Sequence, residues 1–435
     1  MASSNDKRLF DPAAQYASIS GATRYVNLSQ NGKSYLMRED QGSIRAREPL
    51  RWEQLPSPSG VTVTFGGTQQ YVDFLLDPHD YEEIEHLSLR LQVTIANATS
   101  YFLPLPLCLD RMELTFSNSS RISQTLYGEQ LYMNFGFLTN EQLSQVISGK
   151  LMNMTAGFAW DPNGYSVGTQ YLQLPILGSV LAHFRYRILQ GQTRIRFWFK
   201  QSIAVNGSSN ANISFGNFYL VLSTENVLSP EVKAYEAMVN QNRLLITYCD
   251  VVRQQQTVTL APSTRVGILL NAMGGYFAYL QIYIQKASDS ADLSIFRSLA
   301  PGGTPPSAVG ATSDTQYALV EYTDASGKNY ITPGGYQVQE LRYLEWARHF
   351  PGQLGSFVPN YVITFCESPV LAVMEGVIDG YRQVRNTDYI YLTPAANNFV
   401  SGADYTVNIV GWKIRHLEIN RDFSSNAFSL EPLDT

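Results

Sequence analysis

The stretch LSLRLQVTI, from Leu87 to Ile95, alternates strictly between apolar and polar residues. Its odd-numbered positions are all Leu, Val or Ile, whereas its even-numbered positions are Ser, Arg, Gln and Thr. Successive side chains of a β-strand point to opposite faces of the sheet, so this strand has one buried and one wetter face. Such a pattern is typical of the antiparallel sheets of β-sandwiches.

The order of elements around this strand occurs twice in the chain. Each of the two passes along the chain, that is, each copy of this order, has a strand with alternating apolar and polar residues, then an amphipathic helix, then further strands of the same alternation. The predicted strand, helix and strand are 87–95, 139–151 and 193–200 in the first pass, and 278–284, 336–349 and 361–365 in the second. Two sandwich domains of similar layout suggest a building block more than a catalyst.

The composition supports a two-domain, folded protein. A chain of 435 residues exceeds what one hydrophobic core usually supports. With 44% hydrophobic residues, 16% charged residues and 27 Tyr, the chain favours broad, neutral and half-buried surfaces. The net charge of −6 argues against a dedicated nucleic-acid binder, which normally carries a basic excess.

The cysteines and the first residues indicate the compartment. Cys108, Cys249 and Cys366 are far apart and lack the Cys-x-x-Cys spacing of metal or redox sites. We expect buried free thiols and synthesis in a reducing compartment. Residues 1–12 contain no apolar run, so we expect no secretory signal.

Changes in composition predict the domain boundaries. Ser229-Pro230 is a helix start, with Ser as the N-cap and Pro at the first position, and the helix to about Asn240 would connect the domains. Gly, Pro and Ser mark long loops at 152–170 and 298–315. The predicted segments are an N-terminal arm at 1–55, a first domain at 56–227, a helical connector at 228–242, a second domain at 243–422 and a C-terminal tail at 423–435.

Further alternating runs predict the other strands. A phase change at Val410-Gly411 suggests a β-bulge in the last strand of the second domain. The predicted strands are 61–65, 71–76, 111–116, 218–222, 244–252, 257–260, 266–270, 276–286, 317–322, 389–392 and 405–419.

The sequence contains no complete catalytic motif of the kinds considered below. Gly32-Lys33-Ser34 contains the end of a P-loop, but the required earlier glycine would fall at Asn27. The sequence has no Gly-x-Ser-x-Gly elbow and no His-Glu-x-x-His motif. We therefore expect a protein that is not an enzyme and that has no cofactor.

One acidic segment, at 77–86, is a weak candidate for a metal site. His79, Asp80 and Glu82 carry donor types that bind cations. Their spacing matches no recognised ligand set, so a solvated turn before the strand at 87 explains them better.

Trp198 is the candidate interaction residue on a strand. It alternates with Arg196 and Lys200, which places it on the outer face of its sheet. A protein contact and a sugar platform both fit an outer-face tryptophan. Paired carboxylates for glycoside hydrolysis also stay open, since such partners meet only in the fold.

Several segments together resemble one known architecture. They are LPLPLCLDRMEL at 103–114, QTLYGEQLY at 124–132, the strand 192–200, and the strand 217–224 with the helix after Ser229. In the order of these parts, over roughly 56–422, the chain resembles the double jelly-roll major capsid proteins of tailless icosahedral viruses, the lineage that includes the adenovirus hexon.

The resemblance implies an all-β fold of two tandem eight-stranded jelly-roll sandwiches with short inserted helices. It also implies a major capsid protein whose homotrimers form pseudo-hexagonal capsomers of an icosahedral virion, assembled in the host cell cytoplasm. The implied partners are neighbouring capsomers, penton and minor capsid proteins. The arm, with Lys7, Arg8 and Arg24, would lie inside the shell and reach neighbouring capsomers or an internal lipid membrane.

Two other functions also fit the sequence. One is a carbohydrate-binding or carbohydrate-active sandwich, which a pocket with two close carboxylates would favour. The other is a minor virion or spike protein, which copy number per particle would distinguish from the major shell protein.

Overall fold

The structure is a computed structural model. It describes residues 25–27, 51–57, 61–78, 83–95, 105–116, 122–137, 168–184, 186, 189, 191–203, 213–225, 243–261, 263–287, 317–330, 336–337, 360–394, 404–419 and 425–429.

The first half of the chain contributes ten of the described strands and two short α-helices. The strands are β1 (Tyr25–Asn27), β2 (Arg51–Pro56), β3 (Val63–Thr64), β4 (Tyr71–Leu76), β5 (Glu83–Ile95), β6 (Leu109–Phe116), β7 (Gln124–Tyr127), β8 (Gly168–Pro175), β9 (Thr193–Phe199) and β10 (Ile213–Glu225). The helices are α1 (Leu105–Cys108) and α2 (Gly128–Met133), and 3₁₀ turns follow at η1 (Asn134–Phe137) and η2 (Val180–His183).

The second half contributes the remaining described strands and one helix. They are β11 (Arg243–Thr259), β12 (Val266–Leu269), β13 (Gly275–Lys286), β14 (Tyr317–Thr323), β15 (Tyr336–Gln337), β16 (Asn360–Thr364), α3 (Pro369–Met374), β17 (Arg382–Val384), β18 (Tyr389–Pro394), β19 (Asp404–Ile419) and β20 (Ser425–Ser429).

The two halves have the same strand order. The first half forms a long sheet, β2-β10-β5-β8, and a short sheet, β4-β9-β6-β7. The second half forms a long sheet, β11-β19-β13-β16, and a short sheet, β12-β18-β14-β15. The short strands β1, β3, β17 and β20 pair at the margins of the long sheets and are set aside here. When the other eight strands of each half are numbered in chain order, both long sheets read 1-8-3-6 and both short sheets read 2-7-4-5, which is the jelly-roll order. The predicted fold, two eight-stranded jelly rolls, is confirmed.

Alternation along the strands builds the cores. In β9, Ile195, Phe197 and Phe199 are fully buried, whereas the residues between them are partly exposed. In the second half, Leu280, Ile282 and Ile284 of β13 pack with Val407 and Ile409 of β19 in a separate cluster. Each jelly roll therefore has its own core between its long and short sheets.

Most predicted strands lie where the alternation placed them. The run 71–76 coincides with β4, and 87–95 lies within β5. The strands predicted at 244–252 and 257–260 are one strand, β11, because the polar run Gln254–Gln256 between them pairs with β19 without interruption.

The predicted bulge at Val410-Gly411 is wrong. Pairing of β19 with β11 runs through these residues in unbroken register. The irregularity lies instead on the neighbouring strand β13, between Phe277 and Tyr279, opposite Trp412 and Lys413. The phase of β19 changes because residues 407–412 are all buried, so both faces of the strand are covered there.

The predicted helices have different outcomes. The helices at 139–151 and 229–240 lie outside the described residues. The helix at 336–349 is wrong at its start, because Tyr336 and Gln337 form β15, which pairs with Leu319 and Val320 of β14; the rest of it lies outside the described residues. The described α-helices, four to six residues long, are short insertions between strands.

The proposed division into arm, domains, connector and tail stays a prediction. Strands do occur in the segments predicted as arm and tail. Tyr25–Asn27 pairs in parallel with the start of β11, Arg51–Pro56 pairs with β10, and Ser425–Ser429 pairs with β19.

Candidate functional site

The second long sheet is buried on both of its faces. Trp412 on β19 lies opposite Tyr279 on β13 and Val251 on β11, so these three side chains share one face. That face, called here the outer face, points away from the sheet's own core, yet Trp412 is 0% exposed and Tyr279 is 2% exposed. Another part of the protein must therefore cover it.

The first jelly roll provides this cover. Phe137 of η1 packs on Trp412 with ring centroids 6.4 Å apart, and Tyr279 packs on the same indole at 5.1 Å. Trp412, Tyr279 and Val251 all belong to the same apolar cluster as the core of the first jelly roll. We call this interface, between the outer face of the second long sheet and the first jelly roll, the seam.

One buried side-chain amide fixes the position of the two jelly rolls at the seam. Gln124 of β7 is fully buried. Its Nε2 donates to the carbonyl of Cys249 in the second jelly roll at 3.1 Å and to the carbonyl of Gly178 at 2.8 Å, while its Oε1 accepts from the backbone N–H of Val180 at 3.0 Å. Because an unpaired buried amide is costly, these bonds favour one relative placement of the jelly rolls.

A buried carboxylate makes a second polar link. Asp250 of β11 accepts a 2.6 Å hydrogen bond from the backbone N–H of Thr125 in β7, and forms a 3.0 Å ion pair with Arg415. Burial raises the pKa of Asp250, and Arg415 opposes this effect. The carboxylate is thus held at the seam by a partner from each jelly roll.

Arg253 of β11 carries a charge network across the seam. Its guanidinium lies 3.3 Å from Asp110 and 3.7 Å from Glu129, both in the first jelly roll, and stacks 4.2 Å from the ring centroid of Tyr127. Lys200 donates to Glu129 at 2.6 Å. Burial alone would raise the pKa of Asp110, but Arg253 and Arg111 together hold it below its ordinary value.

An open cleft of about 590 Å³ lies beside this network. Its walls are mostly polar and come from both jelly rolls, with Gln69 and Gln201 on one side and Gln255 and Thr406 on the other.

At the seam, the backbone of Gly178 also lies very close to a side chain of the second jelly roll. Gly178 of the first jelly roll has φ +83°, and a Cβ built there would lie 2.7 Å from Cγ1 of Val373 in α3. Both the left-handed backbone and the small gap therefore require glycine at this position.

Trp198 lies on the outer face of the first short sheet, as predicted. Its Nε1 donates to Glu113 at 2.8 Å, and its ring packs on Tyr71 at 4.7 Å. In the same row across the sheet, Arg111 stacks on Trp198 at 5.0 Å, and Tyr127 then meets Arg253 from the second jelly roll. Trp198 therefore belongs to a row that ends at the seam.

The other candidate residues lie outside the described part of the chain. These are Lys7, Arg8, Arg24, His79, Asp80 and Glu82. Within the described residues no group of three or more His, Cys, Asp and Glu side chains is arranged to hold a metal ion. The described helices include none with the length and apolarity needed to span a membrane.

The three cysteines are buried and are not joined in disulfide bonds, as expected. Burial raises the pKa of Cys108 to about 12, with an opposing effect from Lys200. Cys249 lies at the seam, where its thiol donates to the carbonyl of Ala372 at 3.4 Å. These thiols are therefore part of the packed interior.

The seam was not predicted from the sequence. Its one local signal is a charge inside an apolar strand, Asp250 between Cys249 and Val251, because a buried charge requires a partner. The partners themselves lie far away in the chain: Thr125 and Asp110 are 125 and 143 residues from Asp250 and Arg253.

Comparison with known proteins supports the fold. No family model matches the chain. No curated protein matches it significantly either. Among solved structures, VP54 of PBCV-1, fitted into a cryo-EM reconstruction of the virophage Sputnik, aligns with a TM-score of 0.65 and 11% identity over 90% of this chain and 100% of that chain.

Two further structures agree. A quasi-atomic structure of the PBCV-1 virus capsid gives a TM-score of 0.63 and 13% identity over 90% of this chain and 100% of that one. The Faustovirus major capsid protein gives a TM-score of 0.53 and 10% identity over 95% of this chain and 98% of that one. The chain thus shares the double jelly-roll fold of these viral proteins, which confirms the resemblance in fold.

Proposed function

We propose that this chain is the major capsid protein of an icosahedral virus and that three copies form a pseudo-hexagonal capsomer. The observation that carries the proposal is the repetition of one jelly-roll topology across a fixed seam, over nearly the full length of the Faustovirus major capsid protein. A shell protein needs rigid blocks of constant shape, and two jelly rolls locked by buried contacts supply one.

The asymmetry of the seam favours a ring. The outer face of the second long sheet contacts the β7 side of the first jelly roll, so the two jelly rolls meet through different surfaces. Such a head-to-tail contact can be repeated between chains, because the shared topology gives each jelly roll the same two surfaces in position, although their residues differ. If each jelly roll is rotated by one sixth of a circle relative to the one before it, six jelly rolls close a ring. Three chains supply these six jelly rolls.

The first long sheet offers the surface for such a repeat. Its outer face carries Arg90 opposite Tyr219, and Tyr171 opposite Gln92. Tyr171 is 45% exposed, and Arg90 stacks on its ring at 4.9 Å. Tyr and Arg are enriched at protein interfaces, and the polar groups keep the face soluble before assembly.

The remaining parts of the proposal concern location and partners. The protein would act in the virion, after synthesis and assembly in the host cell cytoplasm, beside neighbouring capsomers, penton and minor capsid proteins. Lys7, Arg8 and Arg24 of the arm would contact the inner side of the shell or an internal lipid membrane. The role is structural, without catalysis.

The cleft beside Arg253 does not favour a glycosidase. Such an enzyme needs one carboxylic acid whose pKa is raised, so that it can protonate the leaving group. Asp110 has a lowered pKa, and Glu129 is held by Lys200 at 2.6 Å and by Arg253 at 3.7 Å. Both carboxylates stabilise the seam instead.

The test is the mass and outline of the full-length protein. We expect sedimentation equilibrium to give three times the chain mass of 48.7 kDa, and negative-stain electron microscopy to show particles with a hexagonal outline. A protein that stays monomeric at high concentration would contradict the proposal.

A further inference from the structure

The two jelly rolls differ at one pair of equivalent edge strands. β4 and β12 are the second strand of each jelly roll and the edge of each short sheet. Among the strands that the structure describes, each of them pairs on one side only, β4 with β9 and β12 with β18. An edge strand leaves backbone N–H and C=O groups open to another chain, so proteins usually protect it.

The β12 edge is protected. The strand has only four residues, including Gly267. Arg265, just before it, forms an ion pair with Glu321 at 2.7 Å and lies 3.4 Å from the ring centroid of Tyr391. A short strand beside a charged residue is a common way to block pairing with other chains.

The β4 edge lacks this protection. Its six residues, YVDFLL, contain no Pro, Lys or Arg. Tyr71 is 44% exposed and Leu75 is 56% exposed, and both lie on the outer face. Asp73, the single charge on the strand, accepts hydrogen bonds from Nε and Nη2 of Arg196 at 2.6 and 2.7 Å, so it does little to repel a partner.

This open face is continuous with the seam. The row that begins at Tyr71 passes through Trp198 and Arg111 to Tyr127, where Arg253 of the second jelly roll covers the sheet. One half of the outer face of the first short sheet is therefore already an interface. The half at β4 has the same aromatic and paired-charge character but has no described partner.

We propose that the β4 edge is the contact between copies of this chain in adjacent capsomers, where two β4 strands pair antiparallel across a two-fold axis. The inference rests on the proposed capsid function. Neighbouring tiles of one kind meet through equal surfaces when a two-fold axis relates them, and an antiparallel strand pair has that symmetry.

The β4 sequence suits such self-pairing. With Asp73 at the centre, Tyr71 of one copy lies opposite Leu75 of the other, so the two exposed apolar side chains cover each other on both sides of the axis. The two Asp73 carboxylates would face each other, and each is neutralised by its own Arg196. Aromatic and aliphatic cross-strand pairs stabilise antiparallel sheets.

Leu75→Lys tests the proposal, with Tyr381→Lys as the matched control, because Tyr381 is 59% exposed but lies in the second jelly roll. We expect both full-length variants to keep the wild-type trimer mass. In sedimentation velocity, Leu75→Lys should need at least about tenfold more protein than wild type to associate beyond the trimer, whereas Tyr381→Lys should match wild type.

A double variant gives an independent readout. Tyr71→Cys combined with Leu75→Cys should form chain-to-chain disulfides under oxidising conditions only in species larger than the trimer, since the native cysteines are buried. The inference would be overturned if Leu75→Lys associated beyond the trimer as readily as the wild type, or if this variant lost its trimer. It would also be overturned if the wild-type protein never formed species larger than the trimer. A wild-type protein that forms no trimer would instead refute the proposed function.

Discussion

The two long sheets share one strand order, yet their outer faces have opposite character. In the second sheet, Trp412, Tyr279 and Val251 form an apolar face that is almost completely buried. In the first sheet the same surface carries Arg90 and Tyr219 on facing strands. The jelly-roll topology therefore leaves the outer face free to vary.

On the proposed assembly, the difference follows from when each face is covered. The apolar face is covered within one chain as it folds, so its residues are those of a protein core. A face that waits for a second chain must stay soluble on its own, so Arg, Gln and Tyr suit it. The contrast would then separate a permanent contact within the chain from the proposed contact made on assembly.

The largest effect is expected at the centre of the seam. Trp412→Ala removes an indole that packs on Tyr279 and Phe137 and should lower the free energy of unfolding by about 4 kcal/mol, measured by denaturant titration. Trp412→Phe should cost less, because an aromatic ring still fills the site and the indole N–H has no hydrogen-bond partner in the described part of the chain. A loss below about 1 kcal/mol in Trp412→Ala would show that the seam does not stabilise the fold.

A slightly smaller effect is expected at the buried carboxylate. Asp250→Ala leaves Arg415 and the N–H of Thr125 without their partner, so it should cost about 3 kcal/mol in the same titration. The control is Asp73→Ala, which breaks the more exposed pair with Arg196 and should cost about 1 kcal/mol or less. Equal losses in the two variants would argue against a special role of the seam.

The outer face of the first sheet should respond differently. Arg90→Ala and Tyr219→Ala should leave the unfolding of the single chain within about 1 kcal/mol of wild type, but should raise the trimer dissociation constant at least about tenfold, because interface Arg and Tyr often dominate binding. Dilution series in mass photometry would measure the constant. Unchanged trimers in both variants would place the interchain contact elsewhere.

The smallest effect is a dependence on pH. Asp110 has a pKa below its ordinary value of about 3.9, so it stabilises the fold above that pH, and this contribution disappears as the pH falls through its folded pKa. Asp250 has a raised pKa, so its protonation opposes acid unfolding. When thermal unfolding is measured from pH 7 to about pH 3, the Asp110→Asn variant should therefore lose less stability than the wild type. The Asp250→Asn variant should lose more. If the stability of both variants fell equally steeply with pH, the assigned directions of the two pKa shifts would be contradicted.

Sequence reasoning identified the strands because alternation is a local property. Tyr71–Leu76 was predicted without error, and Trp198 was placed on the correct face, since both follow from the period of two along one strand. The duplicated order of elements then led to the double jelly roll.

The seam could not be found in this way, because it depends on contacts between distant residues. Gln124 and Cys249 are 125 residues apart, and neither is unusual in its own strand. Even the local signal at Val410-Gly411 is ambiguous, because a bulge changes the alternation along a strand. A strand with both faces buried also loses its alternation, and only the packed structure distinguishes the two causes.

Cryo-electron microscopy of the assembled protein would test most directly whether the first long sheet repeats the seam between chains. We expect Arg90 and Tyr219 of one chain to be covered by the second jelly roll of the next chain, three times around a closed ring. A map in which this face is open to solvent, or packs against the same face of another copy, would contradict the head-to-tail assembly.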